Sequence, residues 1–196
     1  MLGFVLSRRT EPGLSDETVR LRLPRRSDHE AWAALRLRSR AFLEPWEPTW
    51  APDELSLAAW RQRLKRYRQD VAQGSSLPLL IFDARSGALL GGITLASIRY
   101  GVAQSASIGY WMGEPYAGRG LMSAAMKLVI SHAFDRLRLH RLEAACIPGN
   151  NRSVRVLEKA GFAREGLLKS YLKINGAWQD HYLYALVSDR QPAAKD

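Results

Sequence analysis

Three consecutive runs of strand-forming residues, Leu77 to Phe82, Ala88 to Ile98 and Ser105 to Met112, constrain the fold most, because the links between them are too short to hold a crossover. Asp83-Ala-Arg-Ser-Gly87 and Arg99-Tyr-Gly101 are turn-forming. Strands joined this way lie antiparallel, so the centre of the chain is a meander. The chain then changes character. Gly118-Arg-Gly120 opens a helix through Leu121, Ala125, Leu128, His132 and Leu137, and Arg141 to Ile147 reads as a buried strand. A shorter helix from about Asn151 to Ala160 stops at Gly161 in the C′ position. Two last strands flank Asn175-Gly176, a strong hairpin signal.

Ahead of the meander, Thr18 to Leu23 alternates apolar and basic residues and ends at Pro24, as a strand does. Ser27-Asp-His-Glu30 has capping-box spacing, so a helix is expected from there to about Arg40. Phe42 to Trp50 carries Pro45 and Pro48 and reads as an aromatic-rich loop, either a packed lid or a binding surface. From about Pro52 to Gln73, Leu57, Trp60, Leu64, Tyr67 and Val71 recur at helical spacing, opposite a basic face of Arg61, Arg63, Lys65, Arg66 and Arg68. The order is β-α-α-β-β-β-α-β-α-β-β. It predicts an α/β (α+β) domain with a mixed sheet of about seven strands and helices on both faces.

The 196 residues suit one domain, and 46% hydrophobic with 24% charged residues suits a globular core and excludes global disorder. We expect an N-terminal segment over 1–17, the domain over 18–188 and a C-terminal tail over 189–196. The formal net charge of +10 favours an anionic ligand or partner, such as a phosphorylated cofactor or a ribonucleoprotein. Cys146 is the single cysteine, which fits a reducing cytoplasm and leaves neither an intramolecular disulfide nor a CxxC motif. His132, His140 and His181 lack metal-ligand spacing, so no metal is expected and they read as surface or core residues. The apolar run within Met1 to Arg9 is too short for a signal sequence, and no stretch is long enough to span a membrane.

Chemistry concentrates at two strand-to-helix junctions. At Ala117-Gly-Arg-Gly-Leu-Met122 the first amides of a helix are unpaired and the macrodipole is positive, an arrangement that holds a phosphate without side-chain charge. The segment is neither a Walker A loop nor a dinucleotide fingerprint. At Pro148-Gly-Asn-Asn-Arg-Ser153, Asn150 or Asn151 caps the next helix, and Asn150 and Ser153 are candidates to face a ligand running between the two junctions. Ser153 lies in the first turn, where a developing anion is stabilised.

These two segments, with Glu158-Lys-Ala-Gly-Phe162, resemble the acetyl-CoA-binding core of the GNAT N-acetyltransferases. Phe42-Leu-Glu-Pro-Trp-Glu-Pro48, Gly120-Leu-Met122, His140-Arg-Leu142 and Asn175-Gly-Ala-Trp-Gln-Asp-His181 narrow the resemblance to the RimJ-type ribosomal-protein-alanine N-acetyltransferases, over about Val19 to Val187. The resemblance implies a sheet splayed between the strand ending near Met112 and the strand ending near Ile147. Acetyl-CoA would enter that gap, its pyrophosphate on Ala117, Gly118, Arg119, Gly120, Leu121, Met122 and Ser123, its thioester beside Trp111, Met112 and Gly113, with Asn150 and Ser153 also in contact. Ala117 departs from the usual first residue of the loop, and Leu157 stands where many members carry a tyrosine acid, which leaves Ser153 as the expected partner of the departing thiolate.

The implied reaction is direct attack by a primary amine on the acetyl thioester, with a backbone N–H near Met112 or Gly113 stabilising the oxyanion. Glu114 is the one carboxylate near the glycine loop and the candidate base. An α-amine near pKa 7.8 is deprotonated at pH 7 for about 1.1 kcal/mol and a lysine near 10.4 for about 4.6 kcal/mol, so weak base assistance favours a protein N-terminus as acceptor. Trp46, Trp50 and Tyr171 are candidate substrate-binding residues. A small-molecule amine is the alternative acceptor, and a non-catalytic ribosome- or RNA-binding module is the alternative to an enzyme.

Overall fold

The structure, a computed structural model, describes residues 13–189. The expected stretch over Met1 to Arg9, and nearly all of the tail, lie outside those residues. One mixed sheet organises the rest, in the order β1-β2-β3-β4-β5-β6-β8-β7. Its strands are β1 (Leu14–Ser15), β2 (Val19–Arg22), β3 (Leu77–Asp83), β4 (Leu89–Arg99), β5 (Ser105–Met112), β6 (Arg141–Cys146), β7 (Ala163–Ile174) and β8 (Ala177–Val187). The two-residue β1, paired with Leu21 and Arg20, is an eighth strand beyond the seven expected. The meander stands as read, β3, β4 and β5 pairing antiparallel in sequence.

Helices cover both faces. On one, α4 (Leu121–Ser131) and α5 (Asn151–Lys159) pack over a core in which Ala125, Met126, Val129 and Leu157 are fully buried. On the other, α1 (His29–Arg38) and α3 (Leu57–Gln73) meet through the stacked indoles of Trp32 and Trp60, centroids 4.7 Å apart.

Several boundaries differ from the sequence reading. Helix α1 starts at His29 because Asp28 is committed elsewhere: its carboxylate accepts from the Arg25 amide at 2.7 Å and grips the Arg22 guanidinium at 2.7 and 2.8 Å, tying the helix start to β2. The segment expected to be a loop from Phe42 is helical at first, α2 (Arg40–Leu43) running into a 3-10 turn over Glu44–Trp46. Pro45 sits in the first turn, where its missing N–H costs nothing. Helix α3 begins at Leu57, not near Pro52, because the Ser56 hydroxyl caps it by accepting from the Ala59 amide at 3.1 Å. It ends at Gly74, in the left-handed region.

The hairpin expected at Asn175-Gly176 has positive φ at both residues (44° and 81°), as a type I′ turn requires. Its tip is fastened to the aromatic segment, the Asn175 amide donating to the Glu47 carbonyl at 2.9 Å. Two segments far apart in sequence thereby form one wall.

The pairing that positions the site is β5 with β6, the one parallel ladder among the described residues. It runs only from Ser105/Arg141 to Ser107/Glu143, its base pinned by the His140 and Arg141 amides on the Gln104 carbonyl. Beyond that point β5 stays paired to β4 as far as Met112, and β6 stays paired to β8 as far as Cys146. The two strands part, each held from its outer side, and a wedge opens between them.

Candidate active site

A cleft of about 570 Å³ occupies the wedge. Its floor is the free edge of β5. The Gly113 amide donates back to Leu90 of β4 at 2.8 Å, so by strand alternation the Tyr110 and Met112 amides turn into the gap. Gly113 is thereby removed as the expected oxyanion donor, its N–H already spent, and Met112 remains. Gly113 also lies outside the cleft lining, its α-carbon packed against Leu35.

At one end of the cleft lies the loop before α4. Gly118 and Gly120 take φ of 77° and 76°, a region costly for other residues, and both α-carbons face open space. The first internal hydrogen bond of α4 runs from the Ala124 amide to the Gly120 carbonyl, which leaves the amides of Leu121, Met122 and Ser123 without helical acceptors. Those residues line the cleft with Ala117, Gly118, Arg119 and Gly120. Arg152, Arg155 and Lys159 add positive charge along the same cleft. A ligand carrying a diphosphate fits here in charge and in donor geometry.

The second junction faces the first across the wedge. Asn150 caps α5, its side-chain oxygen accepting from the Ser153 amide at 3.1 Å, and both residues line the cleft. The Ser153 hydroxyl is 2.8 Å from the Tyr110 phenol. Burial raises the Tyr110 pKa well above the ordinary phenol range, so this hydroxyl stays protonated and can donate. Cys146 lies beside the pair, its thiol also pushed up by burial, chiefly through desolvation. Leu157, which stands where the resembled family often carries a tyrosine acid, is wholly buried in the core. Sequence reasoning missed Tyr110, which approaches Ser153 from 43 residues away on another element.

On the opposite side of the sheet the cleft reaches Trp46, Glu47 and His181, and a second cavity of about 380 Å³ adjoins it. Gly109, Tyr110, Trp111 and Glu47 border both. Trp50 lines the second cavity and is locked in place. Arg36, 7% exposed, forms two hydrogen bonds with the Glu47 carboxylate at 2.7 and 2.6 Å. The Trp50 N–H donates to the same carboxylate at 2.8 Å, and the Arg36 guanidinium lies 4.3 Å over the Trp50 ring and 5.0 Å from the Trp111 ring. The aromatic segment is therefore both a packed element and a cavity wall. Arg63, one of the residues of the basic face of α3, pairs with Glu54 and lies over Trp32 as a wall of this cavity.

Besides Gly113, two expected site residues fall elsewhere. Glu114 is exposed on the 3-10 turn beyond β5 and does not border the cleft, so the structure does not bring the expected base to the chemistry. Tyr171 is half exposed on β7 and touches the cleft only through His181, its ring edge-on at 5.7 Å. His181, 3% exposed, was legible only as a histidine without metal spacing.

Residues 18–163 match the acetyltransferase (GNAT) domain family. The chain belongs to the GNAT N-acetyltransferases. It is 32% identical over 163 residues to the [ribosomal protein uS5]-alanine N-acetyltransferase of Escherichia coli, covering 82% of this chain and 84% of that one. Among solved structures, Mycobacterium smegmatis RimJ in complex with CoA-disulfide is 37% identical, with a TM-score of 0.83 over 87% of this chain and 82% of that chain. The ribosomal-protein-S5-alanine acetyltransferase of Vibrio fischeri is 31% identical, with a TM-score of 0.85 over 92% of this chain and 99% of that chain. The GNAT cofactor is acetyl-CoA. No described helix is long and apolar enough to cross a membrane.

Proposed function

We propose that this acetyltransferase modifies the N-terminal α-amine of a protein, an alanine terminus of a ribosomal protein being the leading candidate, and that it works in the cytoplasm. The observation that carries the reading is the second cavity, which shares Trp111 and Glu47 with the cleft and is walled by the aromatic segment from Glu47 to Trp50. Its lining residues include Arg36 and Arg63 among the rings of Trp32, Trp50, Trp60 and Tyr67. Such walls suit a chain that brings carbonyl oxygens, as the first residues of a peptide do. The names of the relatives favour the same acceptor.

In this reading the amides of residues 118–123 would hold the diphosphate of acetyl-CoA, and the Met112 amide would serve its thioester carbonyl. The acceptor amine comes from the aromatic side. Ser153, backed by the protonated Tyr110, hydrogen-bonds the sulfur as it departs. Arg61, Lys65, Arg66 and Arg68 stand exposed on α3, whose Arg63 and Tyr67 line the acceptor cavity. That charge suits an acceptor presented on a ribosome.

The test is mass spectrometry of a mixed library of peptides and small amines incubated with acetyl-CoA. Acetylation of alanine-initiated peptides at the α-amine, ahead of lysine side chains and small amines, is expected. Preferential labelling of a small amine contradicts the proposed acceptor.

A further inference from the structure

The reaction releases protons that the expected carboxylate, Glu114, cannot collect from its exposed position off the cleft. Among the titratable groups that do line the cleft, Arg119, Arg152, Arg155 and Lys159 are cations, and three others are already committed. Both oxygens of Glu47 are held by Arg36 and one also by Trp50. Tyr110 and Cys146 are kept protonated by burial and sit on the α5 side beside Ser153. Of the carboxylate and imidazole groups among the described lining residues, His181 remains.

Its position follows from register. Cys146 of β6 pairs with Tyr182 of β8, so those two side chains share the α5 face, and His181, one residue away, points to the opposite face. That face carries the aromatic segment, and the cleft borders Trp46, Glu47 and His181 together. The tautomer follows from chemistry. Nδ1 lies 2.9 Å from the Gln179 carbonyl, which can only accept, so Nδ1 carries the hydrogen and the neutral ring keeps its lone pair on Nε2. The edge-on Tyr171 ring, 5.7 Å away, holds the imidazole in this orientation.

We propose that His181 is the general base of acetyl transfer. Its Nε2 takes one proton from the acceptor ammonium. The freed lone pair forms the new C–N bond as the carbonyl π pair moves to oxygen, facing the Met112 amide. On collapse the C–S bond breaks and its electron pair stays on sulfur. The surplus proton of the new amide nitrogen passes to that sulfur through the Ser153 hydroxyl, CoA leaves as the thiol, and the imidazolium returns its proton to water. The proposal rests on the acceptor approaching from the aromatic face, and it holds for any primary amine that does so.

The experiment measures steady-state turnover of the full chain, wild type against His181→Ala and His181→Gln, with an alanine-initiated peptide, alongside the thermal shift on acetyl-CoA. Loss of a general base lowers kcat by about 10²–10⁴-fold. We expect a loss in that range in both variants, KM for acetyl-CoA within about twofold, an intact cofactor-induced thermal shift, and partial recovery of His181→Ala alone on adding imidazole. Turnover within about threefold of wild type overturns the proposal. So does recovery in His181→Gln, which keeps a donor for the Gln179 carbonyl but has no base, or loss of the cofactor shift in both variants, which makes the histidine structural. If the wild type prefers a small amine to the peptide, the acceptor reading fails and the same ratio, measured with that amine, decides the role of His181.

Discussion

The Tyr110 phenol stands 2.8 Å from the Ser153 hydroxyl, linking the free edge of β5 to the first turn of α5 across the wedge. The contact joins the two strand-to-helix junctions that the sequence singles out, at the place where a thiolate would leave. Because burial keeps Tyr110 protonated, the pair can pass one hydrogen bond toward the sulfur without either residue ionising.

Ser153→Ala removes that hydrogen bond. A bond to a charged group contributes about 1.5–3 kcal/mol, so kcat should fall by about 10- to 100-fold with little change in acetyl-CoA affinity. Tyr110→Phe should give a smaller loss, and the double variant less than the sum, since the two act in series. Steady-state kinetics and calorimetric titration of CoA check this, and unchanged turnover in Ser153→Ala removes the residue from the mechanism.

Arg36 and Glu47 hold the acceptor wall. Glu47→Gln leaves a buried guanidinium without its carboxylate and frees Trp50, and breaking such a pair costs about 3–5 kcal/mol in the most buried cases. Because Glu47 is 19% exposed, the lower end is expected. Denaturant unfolding reads the stability, and a raised KM for the peptide with a smaller effect on acetyl-CoA reads the function. Equal stability to the wild type contradicts the account of this wall.

Gly92 is required by Trp111. A Cβ at Gly92 would lie 2.5 Å from Trp111 Nε1, inside van der Waals contact. Gly92→Ala should push the indole from the boundary between the two cavities at a cost of about 1–3 kcal/mol. Indole fluorescence should shift and peptide KM should rise. A variant with wild-type fluorescence and KM contradicts the positioning role of this contact.

A pH effect follows from Arg141, which bonds Glu143 on its own strand and Glu165 on β7. The Arg141 hydrogen bond lowers the Glu165 pKa, so its folded value lies below its unfolded value. Its contribution is therefore present above the ordinary glutamate range and is lost as pH falls through the folded value. Wild type should melt slightly above Glu165→Gln at pH 7, and the gap should close in acid. A constant gap across that range contradicts the assignment.

Much of this architecture is local and therefore legible from the chain. The meander follows from short links, the β7–β8 turn from Asn175-Gly176, and the loop before α4 from two glycines at a strand-helix junction. The Asn150 cap and the place of Ser153 follow from spacing within one turn of helix. What escaped the reading depends on contacts between distant elements. Tyr110 reaches Ser153 only because β5 and α5 border one wedge, and the direction of His181 depends on the register of β8 against β6. Glu114 looked well placed in sequence, yet the 3-10 turn carries it to the surface. The helical turns around Pro45 escaped because proline is tolerated at a helix start, a position that spacing alone does not identify.

The claim beneath all of this is that β5 and β6 separate beyond Ser107 and Glu143, leaving main-chain amides free for acetyl-CoA. Residue-resolved amide hydrogen exchange with and without CoA tests it most directly. The amides of Tyr110, Met112 and Leu121 to Ser123 should exchange fast in the free protein and become protected when CoA saturates it, while Ser105 to Ser107 stay protected throughout. Slow exchange at Tyr110 and Met112 before any CoA is added, or no added protection afterwards, would contradict the account.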